Sequence, residues 1–426
     1  MKLAALFCDH AASGVIARGM GRSYGDSSVS GEGTVIGQTY LNRFLSFDPQ
    51  HGIIHCEAGV TLEDIIKVSL PHGWFLPTTP GTKYVSVGGA IAADVHGKNH
   101  HVDGSFGNWV KGVTLILADG SIMECSPSKN PDVFWATVGG MGLTGFIRDA
   151  RIQLRRVESS YYSVRYHRCR NLEAVLSMLA STEQQYRYSV GWIDCLSRGS
   201  GLGRSVLMLA NNTGARALTS SLRSDPFRVR ASARLPSVPF DFPDWVLNPF
   251  SVNLFNQAYY FKQRDREEIV PYDSFFYPLD GISSWNRIYG KRGFIQYQAL
   301  FPDKTAQTGL RKILETVSSH GAASFLAVIK RCGEANLAPL SYIHRGYTLA
   351  LDIPNLGAQL MPLIKSLDEI LLEHQGRLYL AKDSMMDAKT FAAMYPRREE
   401  FLNIKKQIDP ECFFISDQAR RVGLCF

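Results

Sequence analysis

Between Pro80 and His101 the chain reads PGTKYVSVGGAIAADVHGKNHH, which sets three histidines and two lysines among four glycines. Glycine lets a ligand sit against backbone N–H groups because no side chain intervenes. The run Val87 to Ala93 (VGGAIAA) carries almost no side-chain bulk, and the polar run Asp94 to His101 follows at once. The pattern puts titratable groups, His96 among them, beside whatever the glycines hold. An imidazole there suits a proton acceptor or a hydrogen-bonded cofactor contact equally well, and both stay open. Lys382 is the second group of this kind. It follows Leu380 and Ala381 in GRLYLAKDS (376–384), an apolar setting unusual for a solvated lysine. A fixed ammonium there can stabilise negative charge as it develops; an ion pair with Asp383 is the structural alternative. Gln296 and Gln298 are two apart in a strand-like run, so both amides face one side. That suits the hydroxyls of a sugar, and a cross-strand pair almost as well.

These groups need loops and strands to place them. Two further glycine-rich segments flank the first, Ala17 to Asp26 (ARGMGRSYGD) and Val138 to Gly145 (VGGMGLTG). Arg18, Arg22 and Ser23 give the upstream loop charge and a hydroxyl, chemistry suited to a pyrophosphate. Segments Thr34 to Gly37, Ile53 to Ala58, Val113 to Leu117 and Ile147 to Leu154 read as strands. Leu62 to Ser69 has a helical apolar period, with Thr61 as cap and Asp64 three residues on. Ala118-Asp119-Gly120 signals a hairpin. The expectation is an α+β domain whose three glycine loops point at a common ligand. Further on, Leu172 to Thr182 reads as helix, and Tyr188 to Cys195, Val206 to Leu209 and Gln296 to Phe301 as strands. Arg223 to Asn253, with five prolines, several arginines and interleaved Phe240, Phe242, Trp245 and Phe250, reads as a long loop. It suits a lid that meets a membrane, or a disordered surface insertion. Leu360 to Glu373 is a helix stopped by Gly376, Tyr379 to Lys382 a short strand, and Phe391 to Ile408 helical.

At 426 residues the chain exceeds one ordinary core, and 45% hydrophobic content with 20% charge excludes general disorder. A net charge of +7, scattered and without an arginine-rich tract, favours an anionic ligand or a membrane surface over nucleic acid. The eight cysteines are spread singly, with no CxxC spacing, so neither a zinc site nor a disulfide framework is indicated. That usage fits a reducing compartment. Met1 to Leu6 is too short for a signal-peptide core, and no apolar run is long enough to span a bilayer.

The motifs ARGMGRSYGD, PGTKYVSVGGAIAADVHGKNHH, GSFGN and FWATVGGMGLTGFI resemble the FAD-binding domain of the vanillyl-alcohol-oxidase/p-cresol-methylhydroxylase superfamily. Within it the chain is most similar to the decaprenylphosphoryl-β-D-ribose 2′-oxidase family. The likeness continues through SWNRIYG (284–290), FIQYQ (294–298), APLS (338–341), GRLYLAKDS, AMYPR (393–397) and FISDQARR (414–421). It implies a two-domain fold, with residues 1–158 in the FAD-binding domain, 159–375 in an antiparallel-sheet substrate domain, and 376–426 returning to the first.

The resemblance also implies residue roles. Ala17, Arg18, Gly19, Gly21, Arg22, Ser23, Tyr24, Gly25, Asp26 and Ser27 would wrap the FAD pyrophosphate. Gly81, Ser86, Val87, Gly88, Gly89, Ala93, Asp94 and His96 would line the cofactor, Ile147 its adenine side, with Tyr379 also in contact. Tyr24 stands where flavin-linked relatives often carry a histidine, so the FAD is expected to be non-covalent. Trp192, Arg287, Gln296, Gln298, Lys330, Thr348 and Lys382 would surround the sugar and its phosphate. The implied reaction oxidises C2′ of a polyprenyl-phosphoryl ribose, with Lys382 or His96 handling the proton; a soluble sugar or alditol oxidase is the alternative. A separate NAD(P)H-dependent short-chain reductase would complete an epimerisation to arabinose. The expected location is cytoplasmic, peripheral at the inner face of the plasma membrane, or periplasmic by association. The chain departs from the pattern at Ala350, where relatives carry a nucleophilic cysteine, at Thr348 (asparagine expected) and at Phe276 (tyrosine expected). Only sixteen residues precede Ala17, where relatives carry several tens more. The expectation is a start further upstream or a truncated copy with an exposed sheet edge.

Overall fold

A computed structural model describes residues 14–228, 236–243, 245–322, 324 and 326–425. The Met1 to Leu6 stretch and residues 229–235 and 244 of the long loop lie outside the described residues.

Residues 44–153 build a five-stranded antiparallel sheet, in the order Phe44–Asp48, Ile53–Glu57, Phe146–Gln153, Val110–Ile116, Ile122–Cys125. Alternating apolar residues put one face of the sheet against the helix Leu62–Ser69 and the core around Ile54, Ile65 and Ile152. That helix begins as the spacing requires. The Thr61 hydroxyl accepts from Asp64 N (3.1 Å), and Asp64 returns the bond to Thr61.

The glycine-rich segment is not a loop. Val87–Ala92 is a short buried helix capped by Ser86. Its glycines serve packing: a Cβ on Gly88 would stand 3.0 Å from Gln38 Oε1 and 3.1 Å from the Ala58 methyl. The first-turn amides are taken, Val87 by Val60 O, Gly88 by Ala58 O and Gly89 by the Ser86 hydroxyl. The third glycine loop is spent on the same helix, since Gly139 N donates to Ile91 O (3.0 Å) and Met141 N to Ala92 O (2.8 Å). Of the three glycine segments, therefore, two pack against each other.

Residues 161–378 form an eight-stranded antiparallel sheet, in the order Arg266–Pro271, Tyr161–Cys169, Ser205–Asn212, Tyr188–Ile193, Ala327–Cys332, Gly346–Pro354, Phe294–Pro302, Arg377–Leu378. Helices Leu172–Ser181, Asp303–Ser319 and Leu360–Glu373 cover one face with their apolar stripes. The other face is left for the site. Leu360–Glu373 stops at Gln375, which takes the left-handed conformation (φ 56°), while Gly376 N closes the turn on Leu371 O (2.7 Å). Glycine at 376 is required by space, because a Cβ would stand 2.9 Å from Leu300 O. Tyr379 to Lys382 is a turn and not a strand, with Lys382 N donating to Tyr379 O (2.9 Å); the strand is Arg377–Leu378. Pro396 divides the expected C-terminal helix into Ala388–Met394 and Arg398–Ile408. The long loop ends at Asn248, whose side chain caps the fourteen-residue helix Pro249–Lys262.

The end of the chain returns to its beginning. Val15–Arg18 pairs in parallel with Thr34–Gly37. Its other side is covered by the return segment: Val15 N donates to Phe413 O (2.7 Å) and Ile415 N to Val15 O (2.9 Å). The return segment thus covers this side of the strand at Val15. Buried Lys405 fastens this return, donating to Asp409 (2.6 Å), Leu143 O (2.9 Å) and Phe414 O (3.0 Å).

Candidate active site

The pairing register of the large sheet assembles one wall. Gln296 lies opposite Asp352, Gln298 opposite Ala350, and Lys330 opposite Thr348. Trp192 is paired with Val328, itself paired with Ala350. Residues directly opposite in antiparallel strands share a face. Trp192, Lys330, Thr348, Asp352, Gln296 and Gln298 thus project to the same side. Thr348 is fully buried and lies between two polar neighbours, accepting from Gln298 Nε2 (3.3 Å) and pairing with the Tyr342 hydroxyl (2.8 Å).

Residues of the first unit face this wall. The Gln298 amide donates to His96 Nε2 (2.9 Å), which places the imidazole proton on Nδ1. No described residue partners that Nδ1, although it is buried. Burial, then the charges of Lys330, His100 and Lys382, hold His96 well below the usual histidine range, so the ring is neutral. Tyr379 closes the side of the ring at 5.1 Å between centroids, its hydroxyl tied to Ala93 O (2.7 Å). Lys382 reaches in from its turn. Its ammonium lies 3.8 Å from the centre of the Tyr24 ring, a cation–π contact, and Tyr24 N donates to Ala381 O (3.0 Å). With Gln296, Gln298 and Tyr379 it lines a small cavity.

Cations crowd this space. Burial pulls Lys382 down to about 7, against the favourable charge of Asp352 and with the repulsion of Lys330. Lys98 is likewise pulled to about 7 by burial and Lys330, and His100 to about 3 by burial, His101 and Lys330. Lys330 itself is lowered by burial. Neither it nor Lys382 has an ion-pair or hydrogen-bond partner among the described residues. Buried ammonium groups without anions are costly, and a bound anion removes that cost. Asp352 is the carboxylate among them. Burial raises it to about 6, and it accepts from Gln296 Nε2 (2.5 Å).

Other residues expected in the site are engaged elsewhere. The Asp94 carboxylate takes Ser105 (2.8 Å), Gly107 N (2.9 Å), Asn336 (2.7 Å) and Ser341 (2.6 Å), which uses its acceptor capacity on protein donors. Asp26 is held by Arg421 through both oxygens (2.6 and 3.0 Å). The Arg287 guanidinium is given to the loop carbonyls of Val238 (3.2 Å) and Pro239 (2.9 Å). Asp352 and Lys98 were not singled out by the sequence reading. A charge inside the apolar run GYTLALDIP is the signal that could have found Asp352.

The chain matches the family model of the FAD binding domain over residues 3–126 and that of D-arabinono-1,4-lactone oxidase over residues 294–422. It is 40% identical to decaprenylphosphoryl-beta-D-ribose oxidase of Mycolicibacterium smegmatis over 96% of this chain and 89% of that one. The chain belongs to the decaprenylphosphoryl-β-D-ribose oxidase family. An uncharacterised protein of Streptomyces coelicolor is 30% identical over 86% of this chain and all of its own length. Human Delta(24)-sterol reductase shares 30% identity over only 34% of this chain and 28% of its own.

As a member of this family the protein is an FAD-dependent oxidoreductase of α+β fold. The residues present fit the cofactor. The backbone amides from Met20 to Ser23 have no backbone acceptor among the described residues. Their loop is pressed close by glycine: a Cβ on Gly25 would lie 1.8 Å from Asp383 O, and one on Gly19 would lie 2.0 Å from the Ser86 hydroxyl. Gly81 opens onto free space. Arg18 and Arg22 are loosely held, at 3.4 Å to Ser28 O and 3.3 Å to Tyr84 O, and remain available to phosphate. Ser27 and Ile147 are buried beside this cradle, and the Ile147 carbonyl accepts from Gln38. The cradle and the orphaned cations meet at Tyr24 and Lys382, where a flavin's charge would be balanced.

Proposed function

We propose that the protein oxidises the C2′ hydroxyl of a polyprenyl-phosphoryl-β-D-ribose to the 2′-keto sugar. The carrying observation is the single sheet face that presents two amides and a hydroxyl (Gln296, Gln298, Thr348) beside two buried ammonium groups (Lys330, Lys382). Amides and hydroxyls suit a sugar; buried cations suit its phosphate. The family relative's name supports the same substrate.

The flavin, when bound, supplies a two-electron acceptor for a carbinol hydride. The chain's residues do the rest. Gln296, Gln298 and Thr348 orient the sugar so that one secondary hydroxyl meets Lys382. Near pH 7 a substantial part of Lys382 is neutral and accepts the hydroxyl proton at Nζ. His96, neutral with its proton on Nδ1, acts as a donor that fixes a ligand oxygen, and Lys382 is accordingly the base. Lys330 and Lys98 balance phosphate charge. Trp192 and Tyr342 exclude water from the wall. A separate NAD(P)H-dependent reductase would consume the keto sugar.

Turnover of farnesylphosphoryl-β-D-ribose and of free D-ribose, each with a dye acceptor, tests this reading. The expected kcat/KM ratio is at least about 100 in favour of the prenyl phosphate, because a buried phosphate partner is worth several kcal/mol. Equal turnover of free sugars or alditols overturns it in favour of a soluble sugar oxidase.

A lipid-surface location belongs to the same reading. Helix Pro249–Lys262 exposes Phe250, Leu254 and Phe261 at 79%, 62% and 61%, with Trp245 (75%) and Phe240 (61%) beside it. Its Tyr259 ring lies 4.7 Å from that of Trp192 of the site wall, tilted by 59°, so this apolar face begins at the proposed substrate wall. No helix among the described residues is long and apolar enough to cross a membrane. A peripheral contact at the inner face of the plasma membrane would present a membrane-borne prenyl chain directly. Phe250→Ser with Leu254→Ser is expected to weaken co-sedimentation with anionic vesicles and to spare turnover of the soluble farnesyl substrate. Unchanged sedimentation refutes the contact.

A further inference from the structure

The wall of the large sheet carries one continuous run of polar contacts, and it ends on His96. The Tyr342 hydroxyl pairs with Thr348 Oγ1 (2.8 Å), and Gln298 Nε2 donates to the same oxygen (3.3 Å). Gln298 Nε2 also donates to His96 Nε2 (2.9 Å). All four residues are at most 5% exposed, so bulk water does not compete for these bonds. Aromatic rings close around the imidazole, Tyr342 at 5.6 Å and Tyr379 at 5.1 Å between centroids, themselves 4.8 Å apart.

The proton count along this run is restrictive. An amide nitrogen has two hydrogens, and Gln298 spends one on Thr348 and one on His96. Thr348 therefore accepts, and its own hydrogen is left for Tyr342, whose hydroxyl has no other partner among the described residues. His96 is neutral, so its single proton must choose between two ring nitrogens, and the amide leaves it only Nδ1. Moving that proton to Nε2 would require the amide to turn over, Thr348 to reverse its hydrogen and Tyr342 to donate, all together.

We infer that Thr348 sets the tautomer of His96, acting through the Gln298 amide and supported by the Tyr342 hydroxyl. The assignment rests on the sugar-oxidation reading of this wall. The Nδ1–H group, buried and without a partner among the described residues, is the donor offered to a ligand oxygen. Thr348 is a positioning residue in this scheme. Its share in orienting the sugar passes through Gln298 and His96.

The test reads the ring directly. In FAD-loaded protein carrying nitrogen-15-labelled histidine, the His96 resonances are assigned by their loss in His96→Gln. Their shifts report which nitrogen holds the proton. The parent is expected to show a protonated Nδ1 and a bare Nε2. Thr348→Val keeps the shape and removes the acceptor, so the two amide orientations become comparable. The Nε2–H form should then rise about tenfold, the worth of one hydrogen bond. KM for farnesylphosphoryl-β-D-ribose should rise by about the same factor, with kcat changed by less than about threefold. Thr348→Ser retains the hydroxyl and should restore both. If Thr348→Val does not fold or hold FAD, Tyr342→Phe replaces it. Freed from the phenol, the Thr348 hydrogen can turn toward Gln298, and the Nε2–H form rises by less. A parent spectrum with the proton on Nε2 overturns the inference, as does either folded variant whose ring signals match the parent's. Absence of prenyl-phosphoryl ribose turnover by the parent protein overturns the proposed function instead, and leaves the tautomer readable.

Discussion

Asp94 and Asp352 are equally withdrawn from water, at 1% and 2% exposed, but their neighbours differ. Asp94 is met by four donors from three parts of the chain, Ser105 and Gly107, Asn336, and Ser341. Burial raises its carboxyl, and those donors offset part of that rise. Asp352 has the Gln296 amide, a phenol beside it, and otherwise lysine charge at a distance. A carboxylate saturated by neutral donors ties segments together. A carboxylate left short of donors and placed among cations is free to respond when a ligand enters. Burial alone does not separate a structural acid from a working one; the count and charge of its partners does.

The comparison can be broken at its centre first. Lys382→Met should cut kcat by about 1,000-fold, the scale of losing a general base, while flavin absorbance and melting temperature hold. A loss below tenfold would place the proton elsewhere. Next, Asp94→Ala should cost about 3 kcal/mol in urea unfolding, since four donors lose their acceptor. Asp352→Asn should cost less than half as much under the same conditions. Equal losses would erase the distinction between the two acids. A further effect concerns pH. Lys382 and Lys98 titrate at about 7 in the folded chain, and near the ordinary lysine value once unfolded. Between pH 7 and 9 the unfolded chain therefore binds more protons, so the stability of flavin-free protein rises with pH. The gain is about 2 kcal/mol for each lysine, measured by urea titration at the two pH values. Flat stability over that window would mean that these ammonium groups are solvated.

Much of the frame was legible from spacing. The helix Leu62–Ser69 with its Thr61–Asp64 cap, and Leu360–Glu373, have the bounds that their apolar periods indicate. The face shared by Gln296 and Gln298 followed from the two-residue period of a strand. Val87–Ala92 was hidden because glycine is a poor helix former, and here helix geometry is imposed by packing on Ala58 and the Ser86 cap. Pro249–Lys262 was hidden because its apolar residues lie on more than one side, with only Val252 and Asn256 buried. Asp94 and Asp26 stood within motifs that the resemblance assigns to the cofactor. Nothing in a linear sequence shows that Ser341 and Arg421 arrive from hundreds of residues away to occupy them.

That last contact ties the cofactor loop to the catalytic turn. Arg421 grips Asp26 of the cofactor loop and Asp383 of the Lys382 turn at once, at 2.6 and 2.9 Å. The bridge joins positions 395 residues apart in the chain. Without Arg421 the two segments lose this clasp, so an Arg421→Ala protein is expected to shed its FAD faster on dilution, read as loss of visible absorbance.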